Sequence, residues 1–129
     1  MKSTIIFIMI ILTFISCSDS DIISPELEKE FKKIAYDSIS ESEKETITIN
    51  WTDAIITHGY YDTGSCKNIF VSDNNEKMCF FFLTGTISLS NRNKLVAVSF
   101  KTINDPLLGP IIMILDYNRK ETIGGVGRL

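Results

Sequence analysis

Three cysteines and one histidine are the residues of this 129-residue chain that could carry nucleophilic chemistry or hold a soft metal ion. A cysteine nucleophile needs a base, and His58 could serve as that base for Cys66 or Cys79. The plainer reading makes His58 a loop or strand-end residue with no chemical role. The metal-binding spacings CxxC and HExxH do not occur, and no glycine-rich nucleotide loop follows a strand. Asp73-Asn74-Asn75 has the flavour of a calcium loop but lacks its closing glutamate. Asp116 and Glu121 read as turn and strand-edge polarity rather than as an acid–base pair. The chain therefore reads as a binder: no enzymatic activity, cofactor or metal is expected.

Cys17 belongs to different chemistry. Met1-Lys2-Ser3-Thr4 is a short basic start, and the eleven residues from Ile5 to Ile15 are almost wholly apolar. That is the length of a signal-peptide core and too short to cross a bilayer as a helix. Phe14-Ile15-Ser16-Cys17 then resembles a bacterial lipobox, with Phe14 where leucine is usual and Cys17 as the residue that receives lipid. Ser18-Asp19-Ser20-Asp21 resembles the acidic run that directs some Gram-negative lipoproteins to the outer face of the outer membrane. It reads also as a solvated tether, so the surface and the periplasm both stay open as its location. The expected organisation is a lipoprotein signal peptide over 1–16, a lipidated tether over 17–24 and a single domain over 25–129. Cleavage before Cys17 leaves 113 residues with 12 basic and 16 acidic side chains, a net charge of −4. Such a protein is anchored to a membrane without spanning it, and its acidic balance gives no support to nucleic-acid binding.

The domain has one segment of helical period. Ser24-Pro25-Glu26 combines a hydroxyl cap, proline in the first turn and acidic residues, the marks of a helix start. Leu27, Phe31, Ile34, Ala35 and Ile39 continue at helical spacing, which predicts a helix from Pro25 to Ser40 with Glu28 and Lys32 paired on its exposed side. From Glu45 the period becomes two: Ile47, Ile49 and Trp51 alternate with Thr46, Thr48 and Asn50, which predicts a strand. Gly59 to Gly64 reads as an irregular connection. Asn68–Ser72 and Lys77–Leu83 flank the turn-forming Asp73-Asn74-Asn75-Glu76, and Thr86–Ser90 and Lys94–Thr102 flank Asn91-Arg92-Asn93, giving two hairpins. A loop follows at Asn104–Pro110. Ile111–Leu115 is apolar throughout and predicts an inner strand covered on both faces, and Glu121–Gly125 a last short strand.

These elements define an α+β domain, one N-terminal helix packed on a curved antiparallel sheet of five to seven strands. Phe80-Phe81-Phe82 and Ile111–Leu115 put bulky apolar groups on both faces of that sheet, and one helix covers only one. Either the sheet closes towards a barrel or its second face meets a partner. In an oxidising compartment Cys66 and Cys79 favour a disulfide. A turn centred on Asn74-Asn75 sets Phe70 opposite Cys79 and Cys66 opposite Leu83, too far apart along the strand to bridge, unless Gly64 and Ser65 let the chain curl back. The sequence leaves that bond open.

The segment from Gly109 to Gly124 runs glycine, a β-rich apolar stretch, Asp116, a polar turn, Ile123 and Gly124. It resembles the closing hairpin in propeptides of streptopain-type, papain-like cysteine proteases, where a strand ends in aspartate and glycine follows eight residues later. The turn lacks the family's usual proline, and Gly125 stands where an aromatic is common. Similar hairpins occur in PepSY-type domains and in immunity proteins of toxin systems. As a free-standing domain on a lipid anchor, the resemblance implies a propeptide-like inhibitor whose partner is a secreted cysteine protease. The other readings are an immunity lipoprotein that neutralises a toxin and a structural envelope lipoprotein. The loops richest in cleft-filling candidates are Gly59–Ser65 and Asn104–Gly109. Separately, Asp37-Ser38-Ile39 resembles a short acceptor motif for bacterial O-glycosylation.

Overall fold

The computed structural model describes residues 24–83 and 88–128; the expected signal peptide, Cys17 and all of the tether but Ser24 lie outside the described residues. Ser24 caps the main helix, α1 (Pro25–Asp37), its Oγ accepting the Leu27 N–H at 3.2 Å, with Pro25 in the first turn. The expected stripe faces the sheet, with Phe31 and Ala35 fully buried. The helix ends three residues short of Ser40. Ser38 Oγ donates to the Ile34 carbonyl, and Ser40 caps a separate single turn, α2 (Glu41–Lys44). Ile39, between the two, is nevertheless buried. Lys32 donates to the Thr52 carbonyl, and the ion pair on this helix joins Lys33 to Asp37 at 3.1 Å, not Glu28 to Lys32.

Seven antiparallel strands follow: β1 (Ile55–Asp62), β2 (Ile69–Ser72), β3 (Lys77–Cys79), β4 (Phe81–Phe82), β5 (Lys94–Phe100), β6 (Ile111–Asp116) and β7 (Glu121–Gly125), with a one-turn helix α3 (Asp105–Leu108) between β5 and β6. Their order across the sheet is β3-β2-β1-β5-β6-β7-β4. The two edge strands are one continuous piece of chain. Phe80 N–H still bonds to the Asn68 carbonyl on the β2 side, and Leu83 N–H bonds to the Ile123 carbonyl in β7. Residues 77–83 thus join the two ends of the sheet and close it nearly into a barrel. The second face finds its cover in the sheet itself.

Two cores result. Outside the barrel, α1 buries Phe31 and Ala35 against Val96, Val98 and Phe100 of β5 and Ile111, Met113 and Leu115 of β6. Inside, Tyr61, Phe70, Phe80, Leu95, Ala97, Ile114 and Ile123 pack together, with Phe80 edge-on to both Tyr61 and Phe82. β6 feeds alternate residues to the two cores, as its unbroken apolar run predicts. At roughly 25 cal/mol per Å² of apolar surface, each large side chain in these clusters contributes about 1.5–3 kcal/mol.

Several strand predictions differ from the structure. Ile47 makes a single bridge to Thr102, and Trp51–Asp53 forms a 3₁₀ turn capped by Asn50, so the expected strand over 45–51 is not there. The strand lies instead at Ile55–Asp62, through the stretch read as an irregular connection. Gly59 sits in it because a Cβ there would collide with the Val71 carbonyl oxygen and the Phe70 ring. β5 pairs with β1 and β6, not with 86–90, so the second hairpin does not form as expected; residues 84–87 lie outside the described residues. The first hairpin does form, one residue out of the expected register. Ser72 N–H bonds to the Glu76 carbonyl and Asn75 takes φ 62°, making a three-residue turn that sets Ile69 opposite Cys79 and Phe70 opposite Met78.

Candidate functional site

That one-residue shift decides the fate of the cysteines. A shift of one moves every side chain of the strand to the other face. Met78 and Phe80 point into the barrel, while Cys79 points outward beside Ile69. The β1–β2 connection curls over Ile69, with Gly64 against its side chain. Cys66 and Cys79 are then joined in a disulfide with their Cα atoms 6.0 Å apart. The expected pairing of Cys66 with Leu83 is replaced by this geometry. Neither cysteine offers a thiol to His58, which sits on β1 opposite Val96 with its Nδ1 buried and without a hydrogen-bond partner among the described residues.

The hairpin of the propeptide resemblance is β6, a four-residue turn and β7. Asp116 ends β6 as expected and is 2% exposed. Its Oδ1 accepts the backbone N–H groups of Asn118 and Arg119 at 2.9 and 3.1 Å, and its Oδ2 accepts from Asn93 Nδ2 at 3.2 Å. The carboxylate organises the turn and ties it to the start of β5. Glu121 is directly opposite Asp116 in the ladder, exposed and near Arg119. Gly124 lies where β4 crosses β7, and a side chain there would meet the Phe81 carbonyl and the Phe80 ring. The family-like grammar of this segment therefore has a local physical cause at each of its marked residues.

Gly109 belongs to a second unit, the loop from Thr102 to Gly109. Its φ of 74° ends α3, a backbone geometry that favours glycine. The loop is held at both ends. Asp105 Oδ1 accepts from Thr102 N–H and Oγ–H at 2.8 and 2.9 Å, and Arg128 Nη2 donates to Thr102 Oγ1 and to the Gly109 carbonyl at 2.9 and 3.0 Å. Between these anchors the loop presents Ile103, Leu107 and Leu108 to solvent, Leu107 at 86% exposure. Of the two expected cleft-filling loops, only Asn104–Gly109 has this form. Gly59–Asp62 is strand, and the rest of the other loop is tied down by the disulfide.

Thr102, Asp105 and Arg128 were not singled out by their residue types. The first two carry a readable signal, a hydroxyl residue three positions before an acidic one, which is a helix-capping spacing. Arg128 carries none, because its role depends on where β7 delivers the chain. Ser38 of the glycosylation-like triplet is the C-cap of α1, and its hydroxyl oxygen, whose proton goes to the Ile34 carbonyl, accepts from the Thr122 hydroxyl at 2.8 Å. Among the described residues no three of His, Cys, Asp and Glu cluster in a way that could hold a metal ion, and no helix is long and apolar enough to cross a membrane. Comparison of the chain with known protein families, curated proteins and solved structures finds no match.

Proposed function

We propose that this protein is a lipid-anchored inhibitor of a secreted cysteine protease, attached through Cys17 to the outer membrane of a Gram-negative cell and acting as a folded, propeptide-like domain. The observation that carries this reading is the Thr102–Gly109 loop: three exposed apolar side chains on a backbone fixed by Asp105 and Arg128. A loop that fills a protease cleft has to be bound without being cut. Rigidity serves both needs, because it removes the ordering cost of binding and keeps the scissile geometry out of line. The Cys66–Cys79 disulfide suits an exported protein, and the β6–β7 hairpin supplies the likeness to the protease propeptides.

The test is inhibition of a streptopain-type protease by residues 18–129. Stoichiometric inhibition that falls at least tenfold in Leu107→Asp, with the circular dichroism spectrum retained, is the expected result. No inhibition at large molar excess sinks the proposal. Palmitate labelling, lost in Cys17→Ala, tests the anchor separately.

A further inference from the structure

The barrel is filled at one end and hollow at the other. Towards the β6–β7 turn the inward positions carry Tyr61, Phe70, Leu95, Ile114 and Ile123, all buried. Along the same strands towards the opposite end they carry Thr57, Ser72, Ala97 and Ser99. The register aligns these small residues: Thr57 pairs with Ala97, Ile55 with Ser99, and Ser99 with Ile112. Small side chains on adjacent strands leave the lumen unfilled there. A cavity of about 210 Å³ results, walled by Ile55, Met78, Ala97 and Ile112 and edged by the three hydroxyls and by Glu76.

The cavity opens to solvent beside the exposed Ile55 and Glu76, and its volume exceeds the roughly 150 Å³ that takes up a single benzene ring. The chemistry at the mouth narrows the occupant further. Glu76, in the β2–β3 turn, is the charged residue of the lining, and it has no ion pair among the described residues. A carboxylate at the entrance of an apolar pocket favours a cation and repels an anion. From this we infer that the open end of the barrel is a binding site for a small primary amine with a single-ring or branched aliphatic body. The body would lie against Ile112, Met78 and Ala97, and the ammonium would sit at Glu76 with the Ser72 hydroxyl beside it. The site is separate from the Thr102–Gly109 loop and does not depend on the inhibitor reading.

The experiment titrates the full-length chain in detergent with phenethylamine, ethylbenzene and 3-phenylpropionate, following the methyl NMR signals of Ala97, Ile112 and Met78. Saturable shifts of these methyls with phenethylamine, at least fivefold weaker binding of ethylbenzene and no shift with 3-phenylpropionate are expected. Glu76→Gln brings the amine and ethylbenzene to equal affinity. Ser99→Leu and Thr57→Ile each fill the cavity and abolish the shifts, and whichever keeps the signals of Leu95 and Val98 in place is the one to read. Unchanged methyl signals at millimolar phenethylamine overturn the proposal, as do equal shifts in a folded cavity-filling variant. Equal affinity for amine and ethylbenzene in the unaltered protein overturns the amine assignment.

Discussion

Cys66 and Cys79 are bonded across thirteen positions, and Cys79 is the last residue of β3 before the chain passes from the β2 edge of the sheet to the β7 edge. The bond therefore fastens the β1–β2 connection to the strand that closes the barrel. Closing a loop of this length removes about 3 kcal/mol of chain entropy from the unfolded state. Cys66→Ser is expected to lower the unfolding free energy by about 2–4 kcal/mol in urea. Reduction of the unaltered protein should bring its melting temperature down to that of the variant. Equal stability of oxidised and reduced forms contradicts the assignment.

Asp116 is a buried carboxylate with three donors around it. Hydrogen bonds to a charged group contribute about 1.5–3 kcal/mol each, and removing the carboxylate loses all three at once. Asp116→Ala should therefore destabilise by about 3 kcal/mol or more, whereas Asp116→Asn keeps acceptor capacity on one oxygen and should cost less. Denaturant unfolding of both variants checks the order. The same substitutions leave the Thr102–Gly109 loop untouched, so inhibition per folded molecule should not change.

The elements that were legible in the sequence owe their form to local patterns. α1 was readable because its cap, its proline and its apolar stripe all lie within sixteen residues, and β6 because an unbroken apolar run is what a strand between two cores requires. β1 was hidden because Gly59, with Asp62, Thr63, Gly64 and Ser65 after it, carries the composition of a loop. Only the close approach of Phe70 and Val71, remote in sequence until β2 folds back, makes glycine a strand residue there. The choice between a barrel and a partnered sheet depended on one segment, residues 77–83, bonding on both sides. No local pattern specifies that. In the loop the Thr102–Asp105 spacing was visible, but Arg128 enters it through a tertiary contact and was not.

Phe31 is the larger of the two fully buried side chains that α1 presses against the barrel, tilted against Tyr117 with ring centroids 5.5 Å apart. Phe31→Ala should cost about 3–5 kcal/mol, the usual range for a large aromatic removed from a core. Because the inner cluster does not share this residue, the methyl spectrum of Leu95 and Ile114 should survive in whatever fraction stays folded. Thermal unfolding with that spectrum as the second observable tests whether the two cores are separable.

Gly124 and Gly127 are three residues apart and face opposite constraints. A Cβ at Gly124 meets backbone and ring atoms of the closing strand, while nothing lies within 4 Å of one at Gly127. Gly124→Ala has to push β4 away from β7 and should destabilise by about 1–3 kcal/mol, as overpacking does. Gly127→Ala should be neutral to within about 0.5 kcal/mol. Equal effects at the two positions contradict the closure of the barrel by residues 81–83.

Arg128 and Leu107 act on the same loop by different physics, which makes them separable. Leu107 is exposed and holds nothing in place, so Leu107→Asp should leave stability within about 0.5 kcal/mol and act on binding alone. Arg128 makes two hydrogen bonds that fix the ends of the loop. Its replacement by alanine should lower stability by about 1–2 kcal/mol and speed hydrogen exchange at Leu107, Leu108 and Gly109, whose N–H groups bond within the α3 turn. A loop that is no longer preorganised has to be ordered on binding, at about 0.5–1.5 kcal/mol per side chain immobilised. Inhibition by Arg128→Ala should therefore weaken roughly tenfold even though every apolar contact residue is still present. Unchanged exchange in Arg128→Ala removes the guanidinium as the clamp, and full inhibition by a variant whose loop does exchange faster removes rigidity from the account of how the loop works.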